Sequence, residues 1–162
     1  MRRTLTAALT TLAALAITAS VAFAAITFHS GPTVTFSGDS ATATFNISGL
    51  GNSPAQADLS VSGSVTYGCA NHGGNAAPGQ PQTFAASGST SAPLTNSQKN
   101  GRSDVNVTAT LVLPPAPTAT QLGCPNPNWK VVVTSESVIS ATLTIEQPIG
   151  TIIYGPTTFT NG

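Results

Sequence analysis

Charged residues are scarce in this sequence. Only 6% of the 162 residues are charged, five of them acidic and five basic. Beyond residue 24 the chain has three basic and five acidic residues, which gives a net charge of 3 − 5 = −2. Nucleic acids and anionic lipids are held by clustered Lys and Arg, and this sequence contains no such cluster. We therefore expect no nucleic-acid partner.

A long apolar segment is also lacking beyond the first 24 residues. The chain begins with Met1-Arg2-Arg3, continues without charge, and reaches the small residues of Ala22-Phe23-Ala24. A basic start, an apolar middle and a small-residue end are the three parts of a secretory signal peptide. We predict a signal peptide over 1–24 and a single secreted domain over 25–162, with no membrane span after cleavage. The alternative, an uncleaved membrane anchor, fits less well because threonines interrupt the apolar run.

Low charge with abundant Thr, Ser, Ala, Gly and Val is compatible with two kinds of chain. One is a disordered Ser/Thr-rich stalk, and the other is a secreted all-β domain. Disorder requires weak hydrophobicity or a high net charge, but 40% of this chain is hydrophobic and the net charge is small. The β-branched residues also form runs that end at Gly, Asn, Asp or Pro, as strands do. The composition therefore favours the folded all-β domain.

Alternation of apolar and polar residues marks the strands. The runs 33–37 and 41–47 alternate on either side of Gly38-Asp39-Ser40, which predicts a hairpin. The clearest strands are 59–69 and 104–113, where apolar residues hold one parity and hydroxyl-bearing or amide residues hold the other. Gly63 interrupts the apolar parity of the first, which indicates a β-bulge or a close approach by another backbone.

The remaining segments are less regular. A weak strand is predicted over 82–88 and a polar connection over 89–103. The segment 130–147 alternates except at Ser135 and Ser137, which predicts one bent strand or two strands. One or two short strands follow over 149–160, and no segment outside the signal peptide has helical periodicity. We predict an immunoglobulin-like β-sandwich of about seven to nine strands, with its topology open.

The chain has only two cysteines. Cys69 ends a predicted core strand and Cys124 lies in a loop rich in Pro and Asn. An exported protein meets oxidising conditions, so we predict a Cys69–Cys124 disulfide. It would close a loop of about 55 residues and stabilise the fold by roughly 4 kcal/mol on chain-entropy reasoning. The alternative is a metal site that uses both cysteines with His72 and His29.

Catalytic motifs are absent from the sequence. Neither a Gly-x-Ser-x-Gly elbow nor a His-Glu-x-x-His motif occurs, and the five acidic residues are scattered. Alternation predicts that Glu136 and Glu146 face solvent. We expect no catalytic residue, no metal and no cofactor, and therefore no enzyme activity.

Aromatic residues are few, at 6% of the chain. Trp129 is the only tryptophan and follows the loop of Cys124, where its ring could stack on a sugar or cover the disulfide. The Gly-rich loop after Cys69 carries Asn71, His72 and Asn75. Calcium binding by this loop would need adjacent carboxylates, which it lacks. We predict a ligand-binding rim formed by these three loop residues and Trp129.

The two cysteine motifs carry a family resemblance. They read CANHGGNAAPGQ from Cys69 and CPNPNW from Cys124, and they follow a basic-start signal sequence and Thr/Ala/Gly-rich strands. The chain resembles small secreted β-rich proteins of actinobacteria with one disulfide, a likeness that implies no activity. A looser likeness, in size and composition only, is to the secreted immunoglobulin-like carriers of enediyne antibiotics. Those carriers have two disulfides, so their ligand cleft does not carry over.

The function expected from the sequence is that of a secreted, monomeric binding or interaction module. Its extracellular ligand would be a glycan, a protein or a small molecule. A structural or cell-surface-associated protein is the first alternative, because the predicted strand faces are neutral and rich in hydroxyl groups. A secreted hydrolase is the second, because His72 lies in a loop that could border a cleft.

Overall fold

The computed structural model of the chain describes residues 25–77, 81–95, 102–126 and 128–162. The predicted signal peptide 1–24 lies outside these residues, so its presence and cleavage stay predictions. The described chain forms seven strands and one short helix, and this helix is far too short to cross a membrane. The elements are β1 (Thr27–Ser37), β2 (Ser40–Ser48), β3 (Ala55–Ala70), β4 (Gln82–Leu94), β5 (Arg102–Thr110), α1 (Ala119–Leu122), β6 (Lys130–Glu146) and β7 (Ile152–Thr160).

The strands form two antiparallel sheets. One sheet has the order β1-β2-β5 and the other has the order β4-β3-β6-β7. Apolar side chains of both sheets meet in a single core, so the sheets pack face to face. The predicted immunoglobulin-like β-sandwich is confirmed, with seven strands. The fourth strand pairs with the third, whereas in constant-type immunoglobulin domains it joins the sheet of the first two.

The core follows from alternation along the strands. In β2 every second residue is buried, and the same holds through β5. The predicted hairpin is confirmed, although β1 begins six residues earlier than predicted, at Thr27 instead of Thr33. The largest fully buried side chains come from both sheets and from α1: Ile47, Leu59, Val65, Leu122, Val138, Leu143 and Ile145. Their burial is the main apolar contribution to stability.

Strand β6 is a single strand of 17 residues that bends at two irregularities. The pairing with β3 skips Thr134 and then skips Ile139. Each skipped residue reverses the parity of the residues that follow it. Between the two bulges the even residues face the core, so Glu136 lies opposite buried Val65 and is half-buried. The prediction that Glu136 faces solvent is therefore wrong. The skipped residue Ile139, which alternation placed on the core face, is 56% exposed.

Gly63 is needed where β3 passes the second bulge. A Cβ atom placed on it would lie 2.1 Å from the Ser137 carbonyl oxygen. A shift in the pairing register occurs at the same position, between Ser62 and Gly63. Both features that the sequence predicted for Gly63, a bulge and a close backbone approach, are confirmed.

Several strand limits differ from those predicted. Strand β3 begins at Ala55 instead of residue 59. Strand β4 continues to Leu94 and β5 begins at Arg102, so the predicted polar connection over 89–103 is wrong at both of its ends. Strand β5 ends at Thr110 instead of residue 113. The chain then crosses to the other sheet, where the Val112 N–H donates to the Ser87 carbonyl at 3.0 Å. The segment that crosses between the sheets passes close to Gly88 in β4. A Cβ atom placed on Gly88 would lie 1.9 Å from the Thr110 carbonyl oxygen.

Candidate functional site

The predicted disulfide is present. The sulfur atoms of Cys69 and Cys124 are 2.05 Å apart, and the Cα atoms are 5.7 Å apart. Cys69 is 2% exposed at the end of β3, on the core face that alternation predicted. The alternative metal site is wrong, because sulfurs that are bonded to each other cannot be thiolate ligands.

Helix α1 brings Cys124 to Cys69. The helix begins after Thr118, whose hydroxyl accepts from the Gln121 N–H at 3.2 Å while the Gln121 side chain accepts from the Thr118 N–H at 2.8 Å. Gly123 ends it in the left-handed conformation, with φ of 74°. Leu122, which is fully buried, fixes the helix on the core. Periodicity missed this single turn, although Thr and Gln at this spacing form a capping box.

The loop after Cys69 is organised by Asn71. The Oδ1 atom of Asn71 accepts hydrogen bonds from the Gly73 N–H at 2.9 Å and the Asn75 N–H at 3.0 Å. Its backbone N–H donates to the Asn75 carbonyl at 3.0 Å, and its carbonyl accepts from the Gly74 N–H at 2.9 Å. One asparagine thus accounts for four hydrogen bonds, which hold the loop in a tight turn.

The loop after Cys124 is built in the same way. The Oδ1 atom of Asn126 accepts from the Asn128 N–H at 3.0 Å, and the Asn126 carbonyl accepts from the Trp129 N–H at 3.2 Å. Strand β6 begins directly afterwards, at Lys130. Both turns therefore rest on asparagine side chains two residues beyond a cysteine of the disulfide.

The two loops border a shallow, open hollow of about 320 Å³, which we name the clasp pocket. Its lining residues are Asn71, His72, Gly73, Asn126, Asn128 and Trp129. Trp129 is half-buried and packs against the core, while part of it forms the pocket wall. The two predicted roles of the tryptophan, packing and forming a rim, therefore coexist.

The structure brings together three of the four predicted rim residues. Asn71, His72 and Trp129 line the clasp pocket, whereas Asn75 is used in the turn and does not line it. Asn126 and Asn128 were missed. The signal that could have found them is the Asn-x-Asn spacing after Cys124, which is typical of a turn that an asparagine side chain closes.

The clasp pocket is free of carboxylates. All five acidic residues of the chain lie in the described part, and none lines the pocket. His72 is exposed, and Lys130 follows Trp129 and is exposed as well. His29 lies elsewhere, in β1, where its Nε2 atom is 2.7 Å from the Ser48 hydroxyl.

Two acidic residues of the four-stranded sheet, Asp58 and Glu146, share a hydrogen-bond donor. Gln56 donates through Nε2 to Asp58 at 3.1 Å and to Glu146 at 3.3 Å. Glu146 also accepts from the Gly150 N–H at 2.7 Å. These contacts join the beginning of β3 to the end of β6, whereas the clasp pocket lies at the opposite ends of both strands.

A second hollow, of about 600 Å³, lies on the outer face of the four-stranded sheet, and we name it the serine groove. Its lining is mostly hydroxyl-bearing: Ser60, Ser62, Ser87, Ser89, Ser140 and Thr142, with Val61, Gly88 and Val112. The hydroxyls of Ser62 and Ser140 are 2.8 Å apart across neighbouring strands. The groove is thus part of the neutral, hydroxyl-rich face that the sequence predicted.

Comparison of the chain with protein-family models, with curated proteins and with solved structures finds no match. The resemblance to secreted actinobacterial proteins therefore stays a prediction.

Proposed function

We propose that this protein is a secreted binding module that holds an extracellular carbohydrate in the clasp pocket without catalysing a reaction. The observation that carries the proposal is the meeting of Trp129 with three asparagines in the lining of one hollow. Sugar rings present an apolar face, which suits an aromatic ring, and hydroxyl groups, which suit amides. Ligand pockets commonly combine an apolar wall with a few placed polar groups.

The rigidity of the two loops supports binding. Four hydrogen bonds hold the Asn71 turn, and the disulfide links both loops to the end of a core strand. A site that is already ordered loses less conformational entropy when a ligand binds. The volume of about 320 Å³ is at the lower end of the range for small-molecule pockets, which suits a short segment of a glycan.

The positions of the acidic residues support binding without glycoside hydrolysis. Such hydrolysis uses two carboxyl groups about 5–10 Å apart on either side of the scissile bond. The paired carboxylates here, Asp58 and Glu146, are bridged by Gln56 and lie at the far end of the sheet.

The outer strands support a monomer. Pro32 interrupts β1 and Pro156 interrupts β7, and these strands form two of the four sheet edges. Proline has no N–H to offer a further strand, so both edges are poor sites for strand addition. The disulfide is consistent with an oxidising, extracellular location, where such bonds persist.

A glycan array followed by titration calorimetry tests the proposal. We expect the wild-type protein to bind at least one glycan class and Trp129→Ala to weaken that binding at least roughly tenfold, because buried tryptophans are common binding hot spots. Tyr154→Ala is the matched control, since Tyr154 is also half-buried but packs on Phe28 away from the pocket. Absence of glycan binding, or equal affinities for wild type and Trp129→Ala, would refute the proposal.

A further inference from the structure

Two of the three asparagine side chains of the clasp pocket, those of Asn71 and Asn126, have a fixed polarity. The Oδ1 atoms of Asn71 and Asn126 accept hydrogen bonds from backbone N–H groups of their own turns. A backbone N–H can only donate, so the oxygen and nitrogen atoms of these amides cannot exchange places. The free end of each side chain is therefore its NH₂ group, a hydrogen-bond donor.

The other features of the pocket point to the same kind of ligand. The indole N–H of Trp129 can only donate, and no carboxylate lines the pocket, although all acidic residues of the chain are described. Lys130 adds a positive charge directly after Trp129 and is exposed. Donors that are held in place by a rigid turn stabilise an acceptor-rich or anionic group without reorganising.

We propose that the carbohydrate bound in the clasp pocket carries a carboxylate, as acidic sugars of the uronic acid class do. The inference rests on the proposed function and names the chemistry of its ligand. The NH₂ groups of Asn71 and Asn126 donate to the carboxylate, and the sugar ring lies against Trp129. The net charge of residues 25–162 is slightly negative, so recognition depends on these local donors and not on long-range attraction.

Two conservative substitutions test the donor role. Asn71→Asp and Asn126→Asp keep an oxygen that can accept the backbone hydrogen bonds of each turn, but they replace the free donor by a negatively charged acceptor. Asn106→Asp is the matched control, because it adds the same charge at an exposed position of β5 on the other sheet. Circular dichroism and thermal unfolding verify that each variant is folded, and a free-thiol assay verifies that it retains its disulfide.

The probes are short oligosaccharides of galacturonic acid and of glucuronic acid, each compared with its own methyl ester. We expect at least one acid form to bind the wild-type protein at least roughly tenfold more tightly than its ester at low salt, with a smaller difference at high salt. Asn71→Asp and Asn126→Asp should each weaken binding of the acid form at least roughly tenfold because like charges then face each other, and Asn106→Asp should not.

Each outcome is decisive. If esters or other neutral glycans bind as tightly as the acids, or the two pocket variants bind the acids as wild type does, the carboxylate inference is wrong. Loss of binding on Trp129→Ala would in that case still support the proposed function. If no glycan binds, neutral or acidic, both proposals fail together.

Discussion

The clasp pocket and the serine groove differ in the way their polar groups are used. The groove is the larger, at about 600 Å³ against about 320 Å³, and it lies on regular strands. Three of its hydroxyls bond to hydroxyls of neighbouring strands: Ser62 and Ser140 to each other, and Thr142 to Thr158. The pocket lies between two loops in which the side-chain oxygens of Asn71 and Asn126 accept backbone hydrogen bonds, while the NH₂ groups of these two residues have no partner among the described residues.

This difference is the reason why we propose the smaller hollow, and not the larger one, as the binding site. A hydroxyl can both donate and accept, so a row of hydroxyls on a sheet can satisfy its own members. Two amides whose oxygens are held by turns cannot satisfy each other in this way, because their N–H groups need an acceptor from outside the turns. Loops positioned by a rigid scaffold commonly carry binding residues. The comparison can be tested by changing each hollow separately.

Removal of the disulfide is the change with the largest expected effect, and it should affect the pocket most. Replacing both Cys69 and Cys124 by Ala should lower the free energy of unfolding by about 4 kcal/mol, because the open chain has more unfolded conformations. Urea unfolding followed by tryptophan fluorescence measures the loss, and calorimetry measures ligand binding. We expect binding to be lost even where the fold persists.

The serine groove provides the control for this variant. Amides of β3 and β4 beside the groove should remain more protected from hydrogen exchange than those of the clasp loops, although their protection falls with the global stability, because their pairing is independent of the clasp. Full ligand affinity in the double Ala variant would show that the disulfide does not hold the pocket together.

A methyl group at Gly88 should have the next largest effect, this time at the groove. The Cβ atom of Gly88→Ala would lie 1.9 Å from the Thr110 carbonyl oxygen, so the crossing from β5 to the other sheet must shift. We expect a loss of roughly 1–3 kcal/mol in the free energy of unfolding, as for other overpacked sites.

Gly51→Ala is the matched control for Gly88→Ala. A Cβ atom at Gly51 would meet only the Gln147 side chain, at 3.8 Å. Its effect should stay within about 0.5 kcal/mol, the usual range for surface changes. Ligand affinity of the folded Gly88→Ala protein should equal that of wild type. Equal stability of the two variants would contradict the close approach at Gly88.

Much of the fold could be predicted from alternation, because a strand with one buried face must alternate. The β1–β2 hairpin, the core face of β3 and the role of Gly63 follow from this rule. Strand β6 shows its limit. Two skipped residues, Thr134 and Ile139, reverse the parity and then restore it, and the only trace in the sequence is the pair of serines at odd positions, Ser135 and Ser137. A bulge depends on the partner strand, which one sequence segment does not reveal.

The candidate site could be predicted in part. Asn71, His72 and Trp129 were found because the predicted disulfide brings the neighbours of its two cysteines together. Asn126 was missed because its contribution arises from a single hydrogen bond, to the Asn128 N–H, that fixes the direction of its amide. The donor character of the pocket is therefore a property of the folded loops and could not be derived from composition.

The hydroxyl pair of the groove should give the smallest effect. Ser62→Ala and Ser140→Ala each remove one partner of the 2.8 Å contact, and cross-strand pairs contribute only about 0.2–1 kcal/mol. In a double-mutant cycle, measured by urea unfolding, we expect a coupling energy within that range. Such a coupling would mean that these hydroxyls are satisfied by each other, as the comparison requires. A coupling of zero, together with weaker ligand binding in either single variant, would instead make the groove the binding surface.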